Sequence, residues 1–425
     1  MAESIFTAEG QRGREIQSAI CDLLKNPLPL RLCVSAVILL LLAVLSYGQI
    51  AVKGNTVWTM AGDPISNGVV LIKDGKIEAV GPAASVTIPS GYRVINAQFV
   101  TPGLIDAHTV IGLNGYLNQP HDQMALDGSG SFQPELRAID AYNPEERLVE
   151  WVRGYGVTTI HTGHQPSALA SGQTMIAKTW GKTVDDATMI PTAMIAVTIG
   201  SAANAGQGRA PGSRAKQAAM LRAELIKAVE NSKKTDQPKD LKAEIMTRVI
   251  KREIPLLVTA NLAQDILTAI RIAKEFNIRI VLDGVSDAHM VLDDIKASGF
   301  PVIVHPTMGR AGGDTANLSI ENAAKIRSAG IRVALQSGFE SYVPKTRIVL
   351  FEAAMAAATK RLLPREAMAM ITIDAARILG IDKRVGSLEK GKDADIAMFD
   401  GDPFEYTSHC TGTIINGRVV SEVIR

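Results

Sequence analysis

The sequence predicts an α/β protein: a (β/α)8 TIM-type barrel carrying a small composite β-sandwich built from the N- and C-terminal segments. Three observations lead there. Apolar strand-like runs alternate with helical stretches through the middle of the chain, the rhythm of βα units around a parallel sheet. Residues 101–380, about 280 residues, match the usual size of such a barrel. Short strands separated by turn signals recur at both ends, so residues 49–100 and 381–425 are expected to share one sandwich. At 425 residues and 46% hydrophobic, one barrel-sized domain plus a satellite fits better than several small domains.

Residues 1–48 read as a leader. The apolar run 32–45, with Arg31 before it and Ser46-Tyr47-Gly48 after it, has the length and small-residue exit of a secretory signal rather than of a comfortable spanning helix. The expectation is an exported, periplasmic protein cleaved before Gln49. Glu3, Glu9, Glu15 and Asp22 suit an uncleaved transmembrane anchor better than a signal peptide, so membrane contact is expected only through this segment. Two of the three cysteines, Cys21 and Cys33, lie here. A mature chain would keep Cys410 alone, which rules out an internal disulfide.

From residue 50 to 100 the text alternates apolar residues with turns, and Asp74-Gly75 reads as the centre of a hairpin. In the middle, 157–161, 256–260, 278–282, 301–305 and 331–336 read as strands, 263–276 and 320–329 as helices. Residues 206–240, rich in Arg, Lys, Ala and Gln, read as a helical insertion with a loop at 233–239. No repeat of solenoid period occurs. A net charge of +2, scattered Lys and Arg, and 4% aromatic residues offer neither a basic stripe nor a stacking platform, so no nucleic-acid partner is expected.

Two motifs bracket the middle region. The first is Val100-Thr101-Pro102-Gly103-Leu104-Ile105-Asp106-Ala107-His108-Thr109-Val110. The second is Ile373-Asp374-Ala375-Ala376-Arg377-Ile378-Leu379-Gly380 followed by Gly386-Ser387-Leu388-Glu389-Lys390-Gly391-Lys392-Asp393-Ala394-Asp395. In this order they resemble the amidohydrolase superfamily, which includes imidazolonepropionase-like and dihydroorotase-like enzymes, over essentially all of residues 50–425. The resemblance implies a barrel with a divalent metal, commonly Zn²⁺, at the C-terminal strand ends. Its ligands would be a first-strand His-x-His pair, histidines on the fifth and sixth strands and an aspartate on the eighth; some members add a carbamylated lysine.

Only the first ligand, His108, is matched. Val110 stands at the second histidine, Thr259 at the fifth-strand position, Asp283 at the sixth, and Gln336 or Ser337 at the eighth-strand aspartate, which normally shuttles protons for the metal-bound water. Asp106 shares a strand face with His108 and can orient it.

A second constellation is His161 and His164 after one strand and His305 after another; with His108 they could converge on Zn²⁺. The plainer alternative is that they hydrogen-bond at a polar barrel mouth. Lys178 is more readily an ion-paired lysine than a metal bridge. His121, His289 and His409 are expected at the surface, and Cys410 as a small core or surface residue. Glu340 and Arg347 are candidates for a polar pocket together with Asp106, Thr259, Asp283 and Gln336.

The resemblance implies hydrolysis of a carbon–nitrogen, non-peptide bond in a small molecule by a metal-activated water. Three classes stay open: a divergent hydrolase with a rearranged histidine set, a metal-free pseudoenzyme that binds a small ligand, and a subunit partnering an intact paralogue, with homo- and hetero-oligomers both allowed.

Overall fold

β1 (Ile50–Val57) pairs antiparallel with β2 (Ile65–Lys73), which turns through Asp74-Gly75 into β3 (Lys76–Pro82). Both turn residues take positive φ, 51° and 78°, the left-handed pair that a tight hairpin requires. β4 (Arg93–Pro102) then returns parallel to β1. The structure, a computed structural model, describes residues 48–206, 208–234, 240–307, 309–339, 348–359 and 361–425. The apolar leader run, Cys21, Cys33, Glu340 and Arg347 fall outside the described residues. Among the described residues no helix is long and apolar enough to cross a membrane.

Gly103 separates β4 from β5 (Leu104–Thr109). A Cβ at Gly103 would collide with the Thr158 side chain, so the motif's glycine lets β5 lie against β6 (Val157–Thr162), its parallel neighbour. The next extended stretch is continuous but serves two sheets. Its first half, β7 (Ala170–Gln173), runs antiparallel to β10 (Ile195–Thr198), and its second half, β8 (Met175–Lys178), runs antiparallel to β6 and to β9 (Thr188–Ile190). β10 opens a parallel run with β11 (Leu256–Ala260), β12 (Ile280–Gly284), β13 (Val302–Val304) and β14 (Val333–Leu335). Helices Ala263–Glu275, Leu292–Ser298 and Asn322–Ser328 supply the crossovers, and the helical insertion contains Arg214–Asn231 and Leu241–Ile250.

The sheets therefore differ from the all-parallel ring that the sequence suggests. They are mixed: four strands in the order β5-β6-β8-β9 and six in the order β14-β13-β12-β11-β10-β7. Ala170-Ser171-Gly172-Gln173 is small and polar, and its two faces are both buried, so its pattern carries no signal of direction. At the other edge a parallel bridge joins Thr109 to Gly338.

Ile105, Ile176, Leu257, Val281, Ile303 and Ala334, from six different strands, share one buried apolar cluster. Successive strand side chains alternate faces. Thr259, Asp283, His305 and Gln336 each stand two residues beyond a member of that cluster, so the apolar layer forms the floor beneath them.

The C-terminal strands β15 (Ile396–Phe399), β16 (Cys410–Ile415) and β17 (Arg418–Ser421) pair through β15 with β4, completing one seven-stranded sheet in the order β17-β16-β15-β4-β1-β2-β3. Lys178 ties this sheet to β8. Its buried ammonium pairs with Asp395 and, at 3.2 Å, with Asp393, which Arg384 also reaches at 2.9 Å. Removing one partner of a buried ion pair leaves the others uncompensated. Lys178→Met should lower stability by about 3 kcal/mol, measured as a fall in melting temperature at pH 7; an unchanged melting temperature would show that this pair does not hold the two parts together.

Candidate functional site

The buried carboxylate of Asp283, at the end of β12, gathers side chains from the parallel strands. His108 Nδ1 lies 3.1 Å from Oδ1, Gln336 Nε2 donates to the same oxygen at 2.8 Å, and Thr259 Oγ1 donates to Oδ2 at 2.6 Å. A carboxylate accepts only, so Nδ1 of His108 carries its proton and Gln336 turns its NH2 inward. Burial pushes the Asp283 carboxyl up, but His108 beside it and the hydrogen bonds from His108, Thr259 and Gln336 outweigh that and hold it below its ordinary range. It is an ionised group at neutral pH.

Asp106 behaves in the opposite way. Its Oδ1 accepts from the Ser337 backbone N–H at 3.0 Å, yet complete burial raises its pKa to about 6. Val110 is buried in the main apolar core, with no polar role.

The four histidines have separate environments. The His108 and His161 rings are neighbours, with centroids 6.0 Å apart. His161 has both nitrogens engaged: Nδ1 donates to the Ala107 carbonyl at 2.7 Å, and Nε2 accepts from the Thr174 hydroxyl at 2.6 Å. Burial, then the neighbouring His108, depress its pKa to about 3, so it stays neutral. His164 packs against Gly172, where a Cβ would meet its ring. His305 donates from Nδ1 to the Pro306 carbonyl at 2.9 Å. Convergence of all four on one ion is therefore corrected: His161 has no lone pair to give, and among the described residues no group of three or more His, Cys, Asp or Glu is placed to hold a metal.

Above the carboxylate opens a cavity of about 650 Å³, whose lining includes Thr198, Thr259, Asn261, His305, Gln336 and Phe339. Asp106 and Asp283, expected as pocket residues, lie beneath its floor, and Glu340 is outside the described residues. A loop carrying Arg310 and Asp314 forms one wall. Arg214 fastens that wall, bonding Asp265 at 2.8 Å and Asp314 at 2.9 Å, while Asp314 also accepts from the Ser201 N–H at 2.6 Å. A Cβ on Gly200 would lie 2.8 Å from the Asp314 carboxylate, so glycine allows this closure.

Thr198, Asn261, Arg310 and Phe339 were not singled out from the sequence; the position of Thr198 and Asn261 at the strand ends was the available signal. Away from the cavity, His121 and His289 lie in short 3-10 turns, and exposed His409 pairs with Asp400 at 3.0 Å. Cys410 is buried on β16, and burial pushes its thiol up to about 11.

Strand-end polar residues on an α/β scaffold beside a sheet made from both chain ends define a class, and the comparisons agree on which. The model of the amidohydrolase family matches residues 295–421. An amidohydrolase structure from Thermotoga maritima has a TM-score of 0.83 and 26% identity, covering 88% of this chain and 100% of that one. Imidazolonepropionases from Rhizorhabdus wittichii and Brucella anthropi are 25% and 23% identical, over 80% and 79% of this chain and 91% and 87% of theirs. An adenosine deaminase from Xanthomonas campestris, solved with bound zinc, shares the fold at a TM-score of 0.51 and 14% identity, covering 88% of this chain and 92% of its own. Together these likenesses support the amidohydrolase superfamily for this chain.

Members of this superfamily commonly bind divalent metals such as zinc, and the residues here do not fit one. Thr259 and Gln336 aim hydrogens, not lone pairs, at the centre of the site. The Asp283 oxygens that could ligate an ion already accept those hydrogens and that of His108. Val110 offers no donor at all.

The shift of Asp106 has a pH signature. Its folded pKa is raised, so its contribution is full below its unfolded value near 4 and is lost as pH rises through about 6. Asp106→Asn keeps an acceptor for Ser337 and removes the buried charge. Relative to wild type it should gain on the order of 2–3 kcal/mol between pH 4.5 and pH 8; denaturant melts of both proteins that differ by the same amount at the two pH values would contradict the shift.

Proposed function

We propose that this protein is a metal-independent member of the amidohydrolase superfamily whose strand-end cavity binds a small organic molecule. The observation that carries the reading is the Asp283 carboxylate, hydrogen-bonded by His108, Thr259 and Gln336 where relatives would keep a cation. An internal anion held by three donors needs no ion to stabilise the strand ends, and it opposes activation of a water by a Lewis acid there. In this reading the two mixed sheets are halves of one barrel, joined through the continuous stretch 170–178 and the Thr109–Gly338 bridge. The reading also takes the chain as exported, on the apolar run 32–45 and its small-residue exit.

A second reading keeps hydrolysis of a carbon–nitrogen bond, favoured by the likeness to imidazolonepropionases and by one feature of the site. Asp283 fixes His108 with Nδ1 protonated, while Nε2 has no hydrogen-bond partner; a histidine so held is arranged as a base. Burial of that nitrogen away from the cavity favours the binding reading.

Elemental analysis separates metal-dependent from metal-independent forms. Protein expressed with supplementary zinc and dialysed should hold far less than one ion per chain, and a chelator should leave its melting temperature unchanged. Asp283→Asn should cost about 3 kcal/mol of stability with no metal lost, because its NH2 faces hydrogens it cannot accept. About one zinc per chain, released by Asp283→Asn, would overturn the proposal.

A further inference from the structure

We infer that the cavity selects ligands that bring N–H donors, through a pair of bare acceptors, His305 Nε2 and Gln336 Oε1. The inference rests on the reading of this cavity as a ligand site and adds the chemical class of its occupant. Both atoms are buried, and neither has a hydrogen-bond partner. Both residues line the cavity.

Their polarity follows from the bonds made by their other ends. Pro306 O can only accept, so His305 Nδ1 carries the hydrogen; burial depresses the ring's pKa, and the neutral imidazole leaves Nε2 as a lone pair. Gln336 gives its NH2 to the ionised Asp283 carboxylate, which keeps its carbonyl oxygen off that carboxylate and leaves it as the free acceptor of a residue that lines the cavity. Asp283 thus sets the amide orientation above it.

The backbone sets the spacing. Val304 and Leu335 are registered partners on the parallel strands β13 and β14, and His305 and Gln336 are the next residue of each, on strands about 4.8 Å apart. Two neighbouring acceptors suit a planar group with two hydrogens on adjacent directions, such as a primary carboxamide or a ureido group. The Thr198 hydroxyl, also buried and unpartnered on a residue that lines the cavity, can accept a further hydrogen or donate one. Ile199, Leu318 and Phe339 provide an apolar wall for the body of such a ligand. Arg310 and Asp314 both line the same cavity; Arg214 and the Ser201 N–H already compensate the Asp314 carboxylate, so the Arg310 charge disfavours a cationic head and the group is neutral. Esters and tertiary amides bring acceptors only and leave both protein acceptors unsatisfied.

Calorimetric titration of the full chain with four probes of one shape tests this: benzamide, N,N-dimethylbenzamide, methyl benzoate and benzamidinium. Benzamide should bind at least about tenfold more tightly than the dimethylamide and the ester, a difference of about 1.4 kcal/mol, and more tightly than benzamidinium. His305→Leu should remove most of the preference for benzamide over the dimethylamide. Equal binding of benzamide and the dimethylamide to the wild-type protein would overturn the acceptor pair while leaving the cavity as a ligand site. Preference for benzamidinium would overturn the neutral class. Failure of all four to bind at millimolar concentration would overturn the ligand-site reading and this inference with it. Because the probe series is measured on the wild-type chain, the outcome does not depend on the variant folding.

Discussion

Three strands of the parallel run, β11, β12 and β14, meet β5 of the other sheet at the Asp283 carboxylate, and the chemistry of the strand ends depends on how that charge is held. Removing a carboxylate from water is costly unless hydrogen-bond donors replace the lost hydration. Here His108, Thr259 and Gln336 supply them, at 3.1, 2.6 and 2.8 Å. Each donor is thereby fixed in direction. Asp283 sets the tautomer of His108, the rotor of Thr259 and the amide orientation of Gln336 together, which leaves His108 Nε2 and Gln336 Oε1 without a hydrogen-bond partner.

A metal site has the reverse polarity: lone pairs converge on a central cation. Replacing the cation with a central anion requires every surrounding group to present hydrogen, and a hydroxyl and an amide meet that requirement where imidazole nitrogens and a carboxylate would not. In the proposed metal-independent reading, the departures at Thr259, Asp283 and Gln336 from the pattern that the resemblance implies are one change seen at three positions. Val110 completes it differently, by joining the apolar core. Asp106, two residues before His108 on β5, holds its charge less favourably: its burial favours the protonated form up to about pH 6.

Much of the scaffold was legible because strand periodicity and the two bracketing motifs report directly on burial. The strand expected at 256–260 is β11 as it stands, and the Pro102-Gly103 step has a physical cause in the close approach of Thr158. The antiparallel stretch 170–178 was not legible, since small residues buried on both faces carry no period. At the site, sequence position placed His108, Thr259, Asp283, His305 and Gln336 at strand ends. It could not tell which lone pairs were spent. His161 looked like a ligand until the Ala107 carbonyl and Thr174 hydroxyl took both nitrogens, and the partners of Asp283 are separated from it by 175, 24 and 53 residues.

The central claim is a statement about hydrogen positions, and neutron diffraction from deuterium-exchanged crystals reads those directly. At neutral pH the account predicts deuterium on His108 Nδ1, on Thr259 Oγ1 directed at Asp283 and on Gln336 Nε2, with both Asp283 oxygens bare. Deuterium on the Asp283 carboxyl group, or an ion bound by its oxygens, would contradict it.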